Sequence, residues 1–550
     1  MIRKLGVGVS LILFSFPFAA AAPKPNLVLI TLDSARADRM GFLGAKGALT
    51  PNLDRLAKES IVFEHAYAQA PGSVVSHATI LSGAYPQSTG MSEIGGTLPS
   101  ALPYLPDLLK AQGYRTAAFV SSNELDARNG LAQGFSRGFQ SYETSGATGA
   151  AVWLAHNANA PFFLWVHISV PLPPAAYYNA VLREEDATIG KLLAVLRQQK
   201  LDAATALIVV AAHGESLGAH GEDTHGIFLY DETIHVPLLI KLPQAQSAEK
   251  PTTTRVATKV RLVDIAPTLL EIAALPIPSQ MQGQSLLRIA KAGGGSSGDQ
   301  PVYSRADLPQ RGFGWSPLES WRAGKYLYIR APKPELYDLA ADPGAAHNLA
   351  QSSKATLDTM AAQLDNLDRR FSGETGKSSA ELSSSEMQKL ASLGYVGLQK
   401  SSGSVAAVAG TDPKDKIAIA NKVLEIVAHS QSYPERAFGV LSPIISADPN
   451  LYLAQYTFGA ALASTGRYTE AIKHLHKAIE LQPDSAWAHY EIGASLLKTG
   501  DFKTAVVHLE IATGRLPGFA PAHLALAEAY EHTGRTDDAK RQRALASSKP

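Results

Sequence analysis

The sequence predicts an α/β domain on a largely parallel sheet flanked by helices, followed by an all-α repeat solenoid. Three observations carry that prediction. First, NLVLITL, AAFVSS, FFLWVH and ALIVVAA are near-continuous apolar runs separated by helical patterns, all within Lys24–Phe371. Strands buried on both faces of a parallel sheet read this way. Second, three of the runs lead into a polar residue, namely Asp33, His167 and His213. Ligands of open α/β sheets gather beyond the carboxyl ends of strands, so three such residues point to one site. Third, Ala437, Ala471, Ala505 and Ala539 lie 34 residues apart, as do Pro449, Pro483 and Pro517 and the pair Gly459 and Gly493. A fixed period of this length is the signature of stacked helix pairs.

Taken in order, the chain opens with MIRKLGVGVSLILFSFPFAAAAPKP. Arg3 and Lys4 precede a short apolar run that ends in the small residues Ala19–Ala22, so 1–22 reads as a signal peptide. A mature chain in the periplasm or secreted is expected, with no membrane span after cleavage. Residues 24–372 form the α/β domain. Residues 373–415, rich in Ser, Gly and Ala (SSGSVAAVAGTDPKDK), read as a linker around one short helix. Residues 416–550 hold about three and a half repeats, the first of them, Lys416–Asn450, degenerate. These repeats resemble tetratricopeptide repeats, whose concave groove usually takes a protein or peptide segment. The solenoid is expected to be separable from the α/β domain by proteolysis within the linker.

Composition removes several functions. Lys and Arg number 50 against 49 Asp and Glu, a formal net charge of +1, so nothing suggests nucleic-acid binding. With no cysteine, disulfides, thiolate metal sites and thiol nucleophiles are excluded.

The stretch PGSVVSHATILSGAYP places Ser73 at the start of a helical pattern, where the N-terminal dipole favours an alkoxide and attracts anions. IVVAAHGESLGAHGEDTHG crowds His213, His220 and His225 with Glu215, Glu222 and Asp223 behind a strand. Together with NLVLITLDSARADRMG, RLVDIAPTLLEIAALPIP and ELYDLAADPGAAHNLA, these segments resemble the sulfatases of the alkaline phosphatase superfamily. ASLGYVG before a repeat array is similar to a bacterial subgroup in which a sulfatase-like domain carries tetratricopeptide repeats. The resemblance implies an alkaline-phosphatase-like fold and an exported hydrolase of sulfate esters, acting on a small molecule or a glycan. It implies Asp33, Ser73 and His213 as metal ligands, Ser73 also as the serine-derived nucleophile, and His77 and His225 as contacts to the sulfate. The implied metal is a divalent ion, calcium by family and zinc as the other option.

The chain also departs from the pattern. Ala212 stands where the family has an aspartate, Val170 and Leu172 where the subgroup has polar residues, and Val75 and His77 within the nucleophile motif. Calcium wants about six to eight oxygen ligands, and only Asp33 clearly offers a carboxylate. Glu215 and Asp223 lie near enough in sequence to substitute. The altered motif and the lack of cysteine predict that Ser73 stays serine, without formylglycine. Two alternatives stand beside the sulfatase reading. One is a catalytically impaired scaffold acting through its repeats; the other is a phosphoester hydrolase with an unmodified serine.

Overall fold

The computed structural model describes residues 24–127, 131–157, 160–170, 175–244, 253–291, 300–374, 383–393, 410–430 and 432–547. The signal peptide expected over 1–22, and Pro171 and Leu172, lie outside them.

The strands of the main sheet are β1 (Asn26–Leu32), β2 (Ile61–Tyr67), β3 (Arg115–Phe119), β4 (Ser141–Glu143), β5 (Phe162–Ile168), β6 (Thr205–Ala211), β7 (His235–Lys241), β8 (Thr254–Val256) and β9 (Val260–Arg261). They lie in the order β4-β3-β5-β1-β6-β7-β2-β8, with β9 beside β2. Only β7 runs against its neighbours β6 and β2; the other pairings are parallel. Every residue of β1, β5 and β6 is buried, which is why these runs are almost continuously apolar. Register then fixes the site: Thr31 pairs with His167 across β1 and β5, and Leu32 with Ala211 across β1 and β6. Three adjacent central strands therefore end level with one another.

A second sheet, β10 (Val302–Ala306), β11 (Leu318–Ala323), β12 (Tyr326–Arg330) and β13 (Glu335–Asp338), is antiparallel in sequence order. The long helix Lys354–Glu374 packs on it.

The C-terminal helices pair as Ile417–His429 with Pro434–Ala447, Tyr452–Ser464 with Tyr468–Leu481, Ala486–Thr499 with Phe502–Arg515, and Ala520–His532 with Thr536–Ser547. The periodic small residues mark the contact line within each pair. A Cβ on Gly459 would meet Leu475 Cγ at 2.7 Å, and one on Gly493 would meet Leu509 Cγ at 2.6 Å.

The segment that reads as a spacer is packed where it is described. In the helix Ser384–Ser392, Leu390 is buried, Glu386 pairs with Arg515 at 3.2 Å and Lys389 with Glu510. Farther on, Lys414 pairs with Glu335 at 2.6 Å, and the Lys333 N–H donates to Asp412 at 2.9 Å. Composition reports the missing apolar periodicity, but this docking is made by charges, which leave no such period.

Candidate active site

The site begins where β1 stops. Asp33 follows Leu32, and its N–H donates to the Ile168 carbonyl of β5 at 3.3 Å. Ser34 next to it takes a left-handed conformation (φ 58), which turns the chain out of the sheet. Its carbonyl accepts from Tyr178 Oη at 2.7 Å. Ser73 opens the helix Ser73–Ser82 and is buried. Its Oγ donates to the Asp33 carboxylate, 3.1 Å from Oδ1 and 3.0 Å from Oδ2.

Three imidazoles surround this pair, and their hydrogen bonds assign their tautomers. His77 donates from Nδ1 to the Ser73 carbonyl at 2.8 Å, so Nε2 accepts from Thr31 Oγ1 at 2.9 Å. His167 accepts the Ser121 N–H at Nδ1 (3.3 Å), so its Nε2–H donates to Asp33 Oδ2 at 2.9 Å. His213 donates from Nδ1 to the Gly214 carbonyl at 2.8 Å. That leaves its Nε2 lone pair buried and without a partner, 3.6 Å from Asp33 Oδ1. One ligand atom from each of Asp33, His77 and His167 lies within 4.8 Å of the others, a spacing compatible with a metal. The tautomers argue for a different set. His77 and His167 already use both nitrogens on protein groups, whereas His213 holds a free lone pair beside the carboxylate. Asp33, His213 and the Ser73 hydroxyl therefore suit a divalent ion, with His167 orienting Asp33. One carboxylate and one imidazole suit zinc better than calcium.

The charges follow from the packing. Burial alone would raise the Asp33 carboxyl, but His167, His213 and His77 outweigh it and hold the group far below the usual range. Burial, then His167, lowers His77 to about 3. Burial, then His225, lowers His213 to about 4, which keeps it the neutral imidazole that a metal requires. His225 is the exception. Burial opposes its charge, yet Glu215, with Oε2 2.9 Å from Nδ1, lifts it to about 9. Its ring lies 4.2 Å from that of His213, and its side chain is 31% exposed. A cation with its Nε2–H still to give stands at the mouth of the site.

Several expectations change. His77 is not free to meet a sulfate, because Ser73 and Thr31 hold both its nitrogens. Glu215 does not replace the missing oxygen ligand, since its carboxylate is bound to His225. Asp223 does not either: it is exposed, and its N–H donates to Asn421 at 3.2 Å. The helix N-terminus behind Ser73 is not open to an anion. Glu93 fills it, accepting from the Val74 N–H at 3.3 Å and the Val75 N–H at 3.2 Å. Burial, then Glu124, pushes Glu93 up to about 7. Nothing in MSEIGG announces that contact, because it joins a loop to a helix start twenty residues earlier. Ala212 is buried, and its N–H donates to the Leu32 carbonyl at 2.8 Å.

Comparison with known proteins decides the family. Residues 25–171 match the sulfatase family, and 221–370 match the C-terminal domain of N-sulphoglucosamine sulphohydrolase. The chain belongs to the sulfatase family. Its C-terminal part matches tetratricopeptide repeats over 459–500 and 496–544. An ulvan-active sulfatase of Formosa agariphila is 26% identical over 413 residues, covering 62% of this chain and 80% of that protein. The delta 4,5-hexuronate-2-O-sulfatase of Bacteroides thetaiotaomicron is 23% identical over 414 residues, 60% of this chain and 85% of that one. In fold, the phosphonate monoester hydrolase of Agrobacterium radiobacter is similar with a TM-score of 0.55 at 18% identity, over 63% of this chain and 96% of its own. These likenesses cover the α/β domain and establish an alkaline-phosphatase-like fold followed by the repeats.

Proposed function

We propose that this sulfatase-family chain is an exported hydrolase of sulfate esters on a glycan, with Ser73 as its oxygen nucleophile and a divalent ion held by Asp33, His213 and Ser73. One observation carries the reading: Ser73 Oγ is held 3.0–3.1 Å from Asp33, whose carboxylate lies 3.6 Å from the free Nε2 of buried His213, and the ring of cationic His225 is 4.2 Å from that of His213. The two sulfatase relatives and the family match support the ester class, and ulvan-active and hexuronate names among them favour a glycan. Export rests on residues 1–22 alone; among the described residues no helix is long and apolar enough to cross a membrane.

A bound divalent ion would supply Lewis-acid activation of the serine oxygen and screen charge developing on the ester. The rest falls to the chain. His167 donates to Asp33 and fixes its orientation. Asp33 accepts the Ser73 hydrogen bond and aims Oγ away from the helix. His225, charged through Glu215, donates to a sulfate oxygen and stabilises the transition state. Ser73 itself is buried, which limits the water around Oγ.

The test is hydrolysis of matched aryl sulfate and aryl phosphate esters, with zinc or calcium added to metal-stripped protein. Faster sulfate than phosphate hydrolysis, abolished in Ser73→Ala, supports the reading. The same rates on phosphate alone would move the chain to the phosphoester class. Tight metal binding without turnover of either ester would leave a scaffold acting through its repeats, the reading favoured by Glu93 on the helix amides.

A further inference from the structure

The loop that carries His225 is strained and held from outside the α/β domain. Leu217 (φ 56) and His220 (φ 53) are non-glycine residues in the left-handed region, within a few positions of one another. Such backbone persists only where its surroundings over-determine it. Part of the restraint is local: Glu222 accepts from the Ile227 N–H at 2.8 Å and the Phe228 N–H at 3.3 Å. Backbone bonds such as Ser216 N–H to the Thr224 carbonyl at 2.7 Å add to it, and a further part comes from the repeats. Asn421, on the first repeat helix, donates from Nδ2 to the Gly221 carbonyl at 2.8 Å and accepts the Asp223 N–H at 3.2 Å. It thus closes a bracket around Glu222, three residues ahead of His225.

The other side of His225 is tied to the same array. A Cβ on Gly226 would lie 2.9 Å from Leu308, the first residue of the helix Leu308–Phe313. That helix docks on the repeats through Arg311, paired with buried Asp484 at 2.9 Å, and through Gly312, where a Cβ would lie 2.7 Å from Leu453. Asp223, two residues before His225, thus touches the repeat array directly, and Gly226, just after it, reaches the array through the helix Leu308–Phe313.

From this bracket we infer that the tetratricopeptide array is part of the anion site, with Asn421 a positioning residue that sets His225. This rests on the proposal that His225 meets the sulfate. It also replaces the expected separability: cutting the array away removes one wall of the loop. A segment that binds the repeats and shifts the first helix pair would reach the site through Asn421.

The experiment uses the full chain and three variants: Asn421→Leu, which removes both hydrogen bonds at similar volume; Asn421→Asp, which keeps the acceptor; and Lys477→Ala, an exposed change elsewhere in the array. The first measurement is the imidazole NMR signals of His225, assigned with His225→Gln, together with amide exchange over Gly221–His225. Asn421→Leu should displace those signals and speed exchange, Asn421→Asp should do so less, and Lys477→Ala should leave both unchanged. His225 signals that stay put in Asn421→Leu, with melting temperature unaltered, would overturn the inference. The second measurement is calorimetric affinity for inorganic sulfate. Asn421→Leu should weaken it about fivefold, the worth of one ordinary hydrogen bond, and lower kcat/KM for an ester by at least the same factor. If His225→Gln leaves sulfate affinity intact while Asn421→Leu still displaces His225, the sulfate role falls and the coupling stands.

Discussion

The repeat array and the site both bury histidines, under different rules. In the array the buried polar contacts recur with the sequence. Gln455 meets His474 at 2.8 Å, His489 meets His508 at 2.9 Å and His523 meets Gln542 at 2.5 Å, each pair 34 residues after the last. The first member of each also donates to a proline carbonyl, Pro449, Pro483 or Pro517, at 2.8, 3.1 and 3.0 Å. These side chains fasten one helix to its partner and to the turn before it. In the site, His77, His167 and the His213–His225 loop come from three unrelated segments, and each histidine has a different partner. A repeated contact is structural, and one that occurs once, around an unpaired lone pair, is where chemistry belongs.

The largest expected effect breaks the site without touching the array. Asp33→Asn keeps the shape of the side chain but removes the charge that gathers Ser73, His167 and any metal. Sulfate ester hydrolysis should fall by about 10³-fold or more, because charge stabilisation and metal activation are lost together. Steady-state turnover of an aryl sulfate measures it, and amide exchange of the repeat helices should be unchanged. Turnover within tenfold of the natural chain would show that Asp33 is not the centre of the site.

What the sequence revealed follows the same division. Apolar runs and a 34-residue period are local or repeated signals, so the sheet core, the strand-end residues Asp33, His167 and His213, and the helix pairs were all legible. Ser73 was legible as a helix start. The partners were not. That His167 orients Asp33 while His213 keeps a free lone pair depends on Ser121 and Gly214, and sequence does not say which nitrogen each engages. Glu93 on the helix amides and Asn421 on the His225 loop are contacts between segments far apart in the chain. They leave no period, and only the fold brings them together.

Acid should separate the two regions next. Burial, then Arg515, lowers His489 to about 4, and burial, then His489, lowers His508 as well. The unfolded chain takes up these protons near pH 6.5, so it binds more protons than the native state between pH 6.5 and 4. Stability is whole above 6.5 and is lost as pH falls through that window. His489 alone contributes a loss of about 2 to 3 kcal/mol by pH 4.5. Neutral His213, lowered to about 4, should add a similar loss at the site. Zinc should protect the site and leave the array exposed, as site-resolved amide exchange at pH 4.5 and 7 will measure. Equal protection of both regions would mean that they do not unfold separately.

Adding a carboxylate sharpens the contrast from the other side. Leu32 pairs with Ala211, so Ala212 is the next cross-strand neighbour of Asp33 and projects to the same face. In Ala212→Asp two carboxylates would repel in the metal-free protein and be bridged by a divalent ion. Metal should bind about tenfold more tightly than to the natural chain, about 1.4 kcal/mol, seen as a larger rise in melting temperature on zinc addition. An unchanged metal response would place the ion away from the end of β6. Turnover need not rise, because Glu93 still occupies the helix amides.

The smallest effect is expected where the array itself supplies the control. His489 occupies the position that Gln455 holds one repeat earlier, and both face a histidine, His508 or His474. His489 donates from Nε2 to Pro483, so its Nδ1 can only accept from His508. Glutamine offers the same two roles, an N–H donor for the proline carbonyl and an oxygen acceptor for the imidazole, as Gln455 does with Pro449 and His474. His489→Gln should therefore cost less than about 1 kcal/mol at pH 7, since both hydrogen bonds are rebuilt. It should also be the more stable form at pH 4.5, because one buried group that must charge on unfolding is gone and His508 gains a partner that cannot be protonated. Thermal melts of the full chain at the two pH values, read through far-UV signal and amide exchange of the Ala486–Thr499 helix, measure both. A variant as acid-sensitive as the natural chain would mean that the His489–His508 pair does not set the array's response to pH, and the burden would pass to the histidines around Asp33.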